Sequence, residues 1–378
     1  MGVKGESTFA LKDHLFNAET VGVLATALAE AWQPFRRRAF EKSVLKRFPE
    51  LELKQRIDWI VTVLEEHLPE DFATAVEILE AALPPPLDPT LGDDDFGEFI
   101  WGVPAEYVAR RGCNADDLNR SLDFLYQATQ RFTAENAIRP FLASFPDETL
   151  RRIELWTKDD NYHVRRLTSE GIRPYLPWAQ QVKIPANTVV AVLERLQADR
   201  TRYVTRSVAN TLNDLSRDEP ELVLQTLANW RRLGLQRPEE LSWMTRHATR
   251  TLAKQDHPGA LELLGYPQAP RYALHEVRAP ESVAVGEDWV FAAVLHSRMD
   301  QRLLINLKVG FLKANGKQSV KVFKVADAEL ARGEQLTLGK RVTFRPLTTR
   351  TLYPGVHSAE LVVNGSGRWR QNFELVES

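Results

Sequence analysis

A short motif that returns further along the chain constrains the fold more than any other feature. Ile138-Arg-Pro-Phe-Leu142 recurs 34 residues later as Ile172-Arg-Pro-Tyr-Leu176, and each copy closes a short predicted helix that carries a glutamate. The polar stripe of the second copy returns in residues 203–214, at a shift of 40 residues, and a weaker copy surrounds Arg246-His-Ala-Thr-Arg250. A period of this length with two helices per unit is typical of an α-solenoid of the HEAT or armadillo type.

The periodicity of the apolar residues changes near residue 270. Residues 266–280 are punctuated by prolines, and after them apolar and polar residues alternate, as is typical of β-strands. About seven short strands in roughly 100 residues, with tight turns at Ala314-Asn-Gly-Lys317 and Asn364-Gly-Ser-Gly367, predict an immunoglobulin-like sandwich. The predicted strands are residues 289–295, 303–312, 319–325, 335–338, 340–344, 355–364 and 368–376.

These two patterns predict a multidomain protein of the α plus β class. An α-solenoid of HEAT-like repeats is expected over residues 1–268, and the immunoglobulin-like β-sandwich over residues 269–378.

The composition excludes several classes of protein. Of the 378 residues, 43% are hydrophobic and 26% are charged, as in ordinary globular proteins. The one cysteine, Cys113, rules out a disulfide framework and a cysteine-based zinc site, which favours a reducing cytoplasm. The chain shows no signal-peptide pattern and no apolar run long enough for a bilayer, so we expect a cytoplasmic protein without a membrane partner.

The net charge of −2 hides an uneven distribution of charge. Residues 65–117 are strongly acidic, whereas residues 195–254 and 298–350 are basic. A chain that is nearly neutral overall can therefore bind a polyanion, such as nucleic acid, through one of its faces.

The second copy of the repeat holds the most informative polar residues. Asp160 is a good N-cap and Pro174 prevents a long continuation, so a short helix is predicted between them. Arg166, Glu170 and Arg173 fall on one face of this helix, at i, i+4 and i+7. One interpretation is a surface ion-pair ladder that contributes little to stability. The other is a nucleic-acid site, in which the arginines hold phosphates and the carboxylate faces a sugar or a base.

Other kinds of chemistry lack their sequence motifs. The chain has no Gly-rich phosphate loop and no metal-binding spacing among its eight histidines, so we expect neither a metal nor a cofactor. His163, at the start of the predicted helix, is interpreted as a capping or solvent-facing residue. What remains are carboxylates in an arginine-lined groove, with Trp156 and Trp178 beside it. A carboxylate near a deoxyribose can stabilise an oxocarbenium-like transition state or orient a water, which suits cleavage of the N-glycosidic bond of a positively charged damaged nucleotide.

Residues 163–178 strongly resemble the motif of the AlkC DNA glycosylases, relatives of AlkD that are built from HEAT-like repeats. The resemblance extends to residues 11–17, 129–140, 203–218 and 246–265, and so covers most of residues 8–266. The C-terminal sandwich resembles the Ig-like extension of a subset of that family. The resemblance implies a bacterial base-excision repair enzyme that releases 3-methyladenine and similar cationic N3-alkylated bases from DNA, without flipping the base into a pocket.

By motif position, the resemblance assigns the catalytic role to Glu135 and Glu170, one in each repeat. It implies contacts with the lesion or with the DNA for a further set of residues in the helical part. These residues are Trp156, Trp178, Asp160, Asn161, His163, Arg165, Arg166, Arg173, Arg206 and Asn210.

The basic sandwich has two interpretations. It can be a cap that covers the open end of the solenoid, or a second DNA clamp that acts through lysines such as Lys313, Lys317, Lys321 and Lys340. For the whole chain, the alternatives to a glycosylase are a non-catalytic HEAT-like scaffold that binds DNA or an acidic protein, and a protein–protein adaptor. We expect a monomer whose partner is double-stranded DNA with alkylated bases.

Overall fold

The computed structural model describes residues 10–93, 95–346 and 351–377. Helices occupy the first two thirds of the described chain, with short 3-10 turns at Phe48–Glu50 and Phe99–Trp101. The α-helices are α1 (Leu11–Leu15), α2 (Ala18–Ala31), α3 (Arg37–Arg47), α4 (Leu53–His67), α5 (Phe72–Ala82), α6 (Gly102–Gly112), α7 (Leu118–Thr129), α8 (Arg139–Ser144), α9 (Pro146–Trp156), α10 (Tyr162–Glu170), α11 (Ala186–Leu196), α12 (Arg202–Leu215), α13 (Pro220–Leu233), α14 (Pro238–Ala248), α15 (Arg250–Lys254) and α16 (Pro258–Leu263).

The packing of the later helices confirms the predicted repeat. Helix α10 packs against α12, and α12 packs against α14, so equivalent helices of successive repeats lie side by side. Small polar residues allow α10 and α12 to approach closely. The hydroxyls of Ser169 and Ser207 are 2.6 Å apart, and Thr211 Oγ1 donates to the carbonyl of Ser169 at 3.0 Å.

The two copies of the Ile-Arg-Pro motif differ in local structure. The prediction that the first copy closes a helix is wrong, since residues 135–138 form turns and Arg139 begins helix α8. Pro140 stands in the first turn of this helix, where its missing N–H removes no hydrogen bond. Glu135 therefore projects from a turn, whereas Glu170 is the last residue of α10.

Helix α10 begins one residue later than the sequence predicts. Its N-cap is Asn161, whose side chain accepts a hydrogen bond from the backbone N–H of His163 at 2.9 Å. The prediction that Asp160 caps this helix is therefore wrong. Val164 and Leu167 form the apolar face of this helix and are fully buried. At the end of this helix, a Cβ on Gly171 would lie 2.7 Å from Ile138 Cγ2, so only glycine allows the two motif copies to pack this closely.

The remaining described chain forms two β-sheets. One has the strand order β1-β3-β6 and the other β2-β8-β7-β4-β5, and all pairs are antiparallel except β2 with β8. The strands are β1 (Tyr272–Arg278), β2 (Ser282–Ala284), β3 (Asp288–Ser297), β4 (Gln301–Leu312), β5 (Gln318–Leu330), β6 (Gln335–Thr343), β7 (Gly355–Val363) and β8 (Ser366–Val376). The core between the sheets contains the stacked rings of Trp289 and Phe373, with centroids 4.7 Å apart.

The predicted immunoglobulin-like sandwich is confirmed, with changes in the number of strands. Predicted strands 335–338 and 340–344 are one strand, β6, in which Gly339 pairs with Ala292 across the ladder. Strands β1 and β2 were missed because they show no clean alternation. β1 has no fully buried residue, and its register shifts between His275 and Arg278.

Backbone contacts divide the chain into two compact units. The first comprises the described residues up to 219 together with residues 229–248, and the second comprises residues 220–228 and the chain from residue 249 onward. Within the second unit, Asp256 Oδ2 lies 2.6 Å from Lys308 Nζ, so the turn before α16 is tied to the sandwich. The boundary at residue 268 stays a prediction, and it falls between the last helix and the first strand. Within the described residues, no helix is long and apolar enough to span a bilayer.

Candidate active site

A continuous chain of ion pairs connects three successive segments of the helical part. Arg166 Nη1 donates to Glu135 Oε2, and Arg166 Nη2 lies 3.5 Å from Glu170 Oε2. Arg173 Nη1 donates to Glu170 Oε1 at 2.5 Å, and Arg173 Nε donates to Asp214 Oδ2 at 2.9 Å. Glu135 and Glu170, which the sequence places one repeat apart, thus share the guanidinium of Arg166. We call these five residues the charge chain.

The repeat brings these side chains together. Glu135 comes from the turn between α7 and α8, and Arg166 and Glu170 come from α10. Arg173 follows α10 in a turn, and Asp214 lies in the last turn of α12, which packs against α10. The site therefore forms only when the turn before α8, helix α10 and helix α12 are brought together by packing.

The arginine-glutamate face is largely buried, and its role in binding nucleic acid stays a prediction. The side chains of Glu170 and Asp214 are 5% and 3% exposed, and that of Arg166 is 13% exposed, so the surface-ladder interpretation is wrong. Glu135 is the most accessible carboxylate of the charge chain, with 19% of its side chain exposed. A network of buried charges is costly unless each charge is paired, as these are.

The arginines keep the buried carboxylate ionised. Burial raises the pKa of Glu170, but Arg166 and Arg173 lower it by more, so that its pKa lies below the ordinary value. For Arg166, burial lowers the pKa, and Glu135 and Glu170 more than offset this, so its pKa is raised and the guanidinium stays charged.

Aromatic rings support Arg166 on its other side. Its Cζ lies 4.7 Å from the centre of the Tyr203 ring, and Tyr203 in turn contacts Tyr162 and His163 at centroid distances of 5.9 and 5.6 Å. The interpretation of His163 as capping or solvent-facing is wrong, since the residue is only 4% exposed. Burial lowers the pKa of His163 to about 4, so the ring is neutral at neutral pH.

Arg139, in the first copy of the repeat motif, fixes the turn after α10. Its fully buried guanidinium donates through Nη1 to the carbonyls of Gly171 at 2.7 Å and Arg173 at 3.0 Å, and through Nε to the carbonyl of Gln180. Burial, and then the charge of Arg173, lower the pKa of Arg139 to about 10, which leaves it protonated at neutral pH. The turn that carries Arg173 and the segment up to Gln180 are thereby held in place.

The two predicted tryptophans lie in different environments. Trp178 is 75% exposed and has a φ of 61°, in the left-handed region that non-glycine residues rarely adopt. Lys54 Nζ, from the first turn of α4, donates to its carbonyl. Trp156 is 6% exposed and packs against Tyr126 with ring centroids 5.9 Å apart. The exposed ring is thus available to a ligand, whereas that of Trp156 belongs to the packed interior.

Several other predicted contact residues have partners within the protein. Arg165 makes a bidentate pair with Asp199, with Nε–Oδ2 at 2.6 Å and Nη2–Oδ1 at 3.1 Å, and is buried. Arg206, which is 38% exposed, lies 2.5 Å from Asp93 Oδ2.

The rest of the predicted contact set is more accessible or lies in the second unit. Asn210 Oδ1 lies 2.8 Å from His247 Nε2. Asp160 is exposed, beside the N-cap Asn161. Lys313 and Lys317 are exposed in the turn between β4 and β5. Their proposed contacts with DNA remain predictions.

Three further residues of this region carry no signal in the sequence pattern. Asp214 lies in the third copy of the polar stripe, residues 203–214, but nothing in the spacing shows that it pairs with Arg173. Tyr203 begins that copy and Asp93 lies in the acidic stretch of residues 65–117, and neither belongs to a motif that indicates its contacts. Among the described residues, no group of three or more His, Cys, Asp or Glu side chains is arranged to hold a metal ion.

Comparison with known proteins agrees with this architecture. Residues 127–252 match the family described as DNA alkylation repair enzyme, and residues 274–377 match the C-terminal Ig-like domain of the uncharacterised protein YhaZ. The chain is 31% identical to YhaZ of Bacillus subtilis (strain 168) over 96% of its own length and 98% of that protein. It also matches the structure of the Pseudomonas fluorescens alkylpurine DNA glycosylase AlkC bound to DNA containing an abasic site analog. The TM-score is 0.82 and the identity 32%, over 97% of this chain and 100% of that one.

The chain belongs to the AlkC-like family of DNA alkylation repair enzymes. It has the AlkC fold of helical repeats followed by an Ig-like domain, and the predicted resemblance is confirmed over both parts. In this AlkC-like chain the charge chain lies within the region that matches the repair-enzyme family, between residues 127 and 252.

Proposed function

We propose that this protein hydrolyses the N-glycosidic bond of 3-methyladenine and similar cationic N3-alkylated bases in duplex DNA, without flipping the base into a pocket. The observation that carries the proposal is that Glu135 and Glu170 face one guanidinium in the region of the family match. The similar AlkC structure contains DNA with an abasic site analog, which supports DNA as the partner.

The charge on the damaged base determines what the protein must supply. A cationic base leaves as a neutral molecule, so its departure needs no general acid, and positive charge develops on the deoxyribose ring. A carboxylate fixed beside that ring stabilises the oxocarbenium-like transition state, because the charge is already in place when the bond breaks. Water then adds to the anomeric carbon and gives its proton to the carboxylate.

The two glutamates differ in exposure, and we assign their roles accordingly. Glu135 presents the more accessible carboxylate and contacts the sugar or the attacking water. Glu170 is nearly buried; it holds Arg166, and through it Glu135, in a fixed position and adds negative potential. Trp178, exposed beside this region, would contact the lesioned nucleotide.

A reaction without base flipping needs no pocket for the base, but it needs a carboxylate that can reach the sugar from the protein surface. Glu135, with 19% of its side chain exposed, meets that requirement.

The test is release of free 3-methyladenine from methylated duplex DNA, followed by chromatography. We expect release by the wild type and a loss of about 10²- to 10⁴-fold in rate for Glu135→Gln. Glu170→Gln should also lose most of the activity, because Arg166 is no longer held from both sides. Binding of undamaged DNA should survive in both variants.

The matched control is Glu240→Gln, which removes another buried, arginine-paired carboxylate. Glu240 accepts hydrogen bonds from Arg202 Nε at 2.9 Å and from Thr205 Oγ1 at 2.5 Å, outside the charge chain. If both site variants release 3-methyladenine at the wild-type rate, the assignment of Glu135 and Glu170 to catalysis is rejected. Absence of release by the wild type, with DNA binding intact, would instead favour the non-catalytic scaffold.

A further inference from the structure

Helix α3 carries a row of basic side chains on its exposed surface. Arg38, Lys42 and Lys46 follow one another at four-residue intervals, so they lie on one side of the helix, about 6 Å apart along its axis. All three are exposed. The acidic residue of this helix, Glu41, pairs with Arg37 at 2.8 Å and leaves the row uncompensated.

The row differs from several other arginines on the surface of the helical part. Arg110, Arg120 and Arg152 each lie within 3.5 Å of a carboxylate, those of Asp58, Glu77 and Asp123 respectively. Within the described residues, Arg38, Lys42 and Lys46 make no ion pair. Like charges four residues apart in a helix repel each other, so the row is unfavourable for the protein alone and becomes favourable when a polyanion neutralises it.

The position of α3 connects the row to the candidate site. Helix α4 begins directly after the short turn Phe48–Glu50 that ends α3, and Lys54 in its first turn donates to the carbonyl of Trp178. Along one strand of B-DNA a phosphate charge occurs about every 3.4 Å of axis, so a row about 12 Å long can face roughly three phosphates. An extended anion with regular charge fits this row better than an irregular acidic protein surface.

We infer that Arg38, Lys42 and Lys46 bind the phosphate backbone of duplex DNA on one side of the damaged nucleotide. The inference rests on the proposed function for the identity of the DNA as substrate. It adds a binding surface at the beginning of the helical part, far in sequence from the repeats that carry the charge chain. Such contacts fix the position of the duplex and read no sequence.

The experiment is a salt titration of duplex DNA binding by the full-length protein. In the variant Arg38→Gln/Lys42→Gln/Lys46→Gln, the slope of log K against log salt concentration should fall by roughly 2 to 3, since each phosphate contact contributes about 0.9. The charge-preserving variant Arg38→Lys/Lys42→Arg/Lys46→Arg should keep the wild-type slope. A second control, Arg120→Gln/Arg152→Gln/Arg195→Gln, removes the same charge from arginines that have carboxylate partners.

The outcomes separate this inference from the proposed function. The inference is overturned if the slope is unchanged in the α3 variant, or if the slope falls equally in the second control. The row would then face an acidic protein partner or solvent. A lowered slope in a protein whose wild type releases no base supports the inference and removes the proposed function. Release of base by the wild type, together with an unchanged slope in the α3 variant, supports the proposed function and overturns the inference.

Discussion

At the scale of residues, the charge chain shows how buried charges are kept ionised in a folded protein. Glu170 pairs with Arg166 and Arg173, so each of its neighbours compensates part of the cost of its burial. The sequence predicted that Arg166 and Glu170 share one face of α10, because residues four apart lie together on any helix, although α10 ends before Arg173. The sequence could not predict that Glu135 pairs with Arg166 or that Asp214 pairs with Arg173 in the charge chain, since these contacts depend on how neighbouring segments pack.

The lowered pKa of Glu170 predicts how stability depends on pH. The folded protein binds a proton at Glu170 more weakly than the unfolded chain, whose glutamates titrate near pH 4.5. The stabilisation by this carboxylate is therefore complete above about pH 4.5 and is lost as the pH falls through the lower folded-state pKa. We expect Glu170→Gln to reduce the free energy of unfolding by roughly 3–5 kcal/mol at pH 7 and by less at pH 4.

Denaturant unfolding of both proteins at pH 7, 5 and 4 measures this difference. The control is Glu154→Gln, at an exposed glutamate that pairs with Arg195, where the change in unfolding free energy should be small at every pH. A destabilisation by Glu170→Gln that stays constant or grows on acidification would contradict the assigned pKa shift.

At the scale of elements, the acidic segment of residues 84–95 lies against helix α12. The described residues of this segment contain no helix or strand. Its Asp93 pairs with Arg206, its Gly92 carbonyl accepts from the N–H of Tyr203 at 3.4 Å, and the Phe96 ring that follows lies 5.2 Å from that of Tyr203. The carboxylate of Asp93 is thus paired with Arg206, the arginine to which the resemblance assigns a contact with the DNA backbone.

This contact predicts that Asp93 competes with DNA for Arg206. Asp93→Asn should increase the affinity for duplex DNA by about 2- to 5-fold at low salt, because a partly exposed ion pair contributes about 0.2–1 kcal/mol. The gain should shrink as salt screens the charges. Fluorescence anisotropy with a labelled duplex provides the measurement.

Asp88→Asn is the matched control for this prediction. It removes one negative charge from the same segment, but Asp88 accepts hydrogen bonds from the backbone and hydroxyl of Thr90 instead of pairing with an arginine. Equal gains in both variants would indicate general repulsion of DNA by the segment, and the specific competition at Arg206 would then be rejected.

At the scale of the whole molecule, two folding patterns follow each other in one chain. Stacked helices build the layer that holds the charge chain, and the sandwich builds its own core around Trp289. We propose that the sandwich also contacts DNA, as its basic residues suggest. Lys313 and Lys317 flank an exposed turn closed by the hydrogen bond from the N–H of Lys313 to the carbonyl of Lys317, at 2.9 Å.

The clamp interpretation predicts that both lysines contact phosphates. In Lys313→Gln/Lys317→Gln, the salt dependence of duplex binding should weaken by a slope of up to about 2, and the affinity should fall. Removing two charges from the other sheet, with Arg278→Gln/Arg341→Gln, should leave the slope unchanged; both arginines are more than 70% exposed. If the lysine variant keeps the wild-type slope, the clamp interpretation is rejected and the interpretation of the sandwich as a cap is favoured.

The sequence by itself determined the architecture, because each fold class has its own periodicity. A repeat of about 34–40 residues requires stacked helix pairs, and alternating residues with tight turns require a sandwich. It also located Arg166 and Glu170 on one face, because that relation is set within a single helix, whereas Arg173 lies just beyond the end of α10.

Only the tertiary structure decided which charges meet. Glu135 reaches Arg166 from a turn, Asp214 reaches Arg173 from another helix, and Asp93 reaches Arg206 across more than a hundred residues of chain. The boundaries of irregular strands such as β1, and the burial of His163 and Trp156, were likewise set by packing. Local spacing cannot encode these contacts, since they form only when distant segments are brought within a few ångströms of each other.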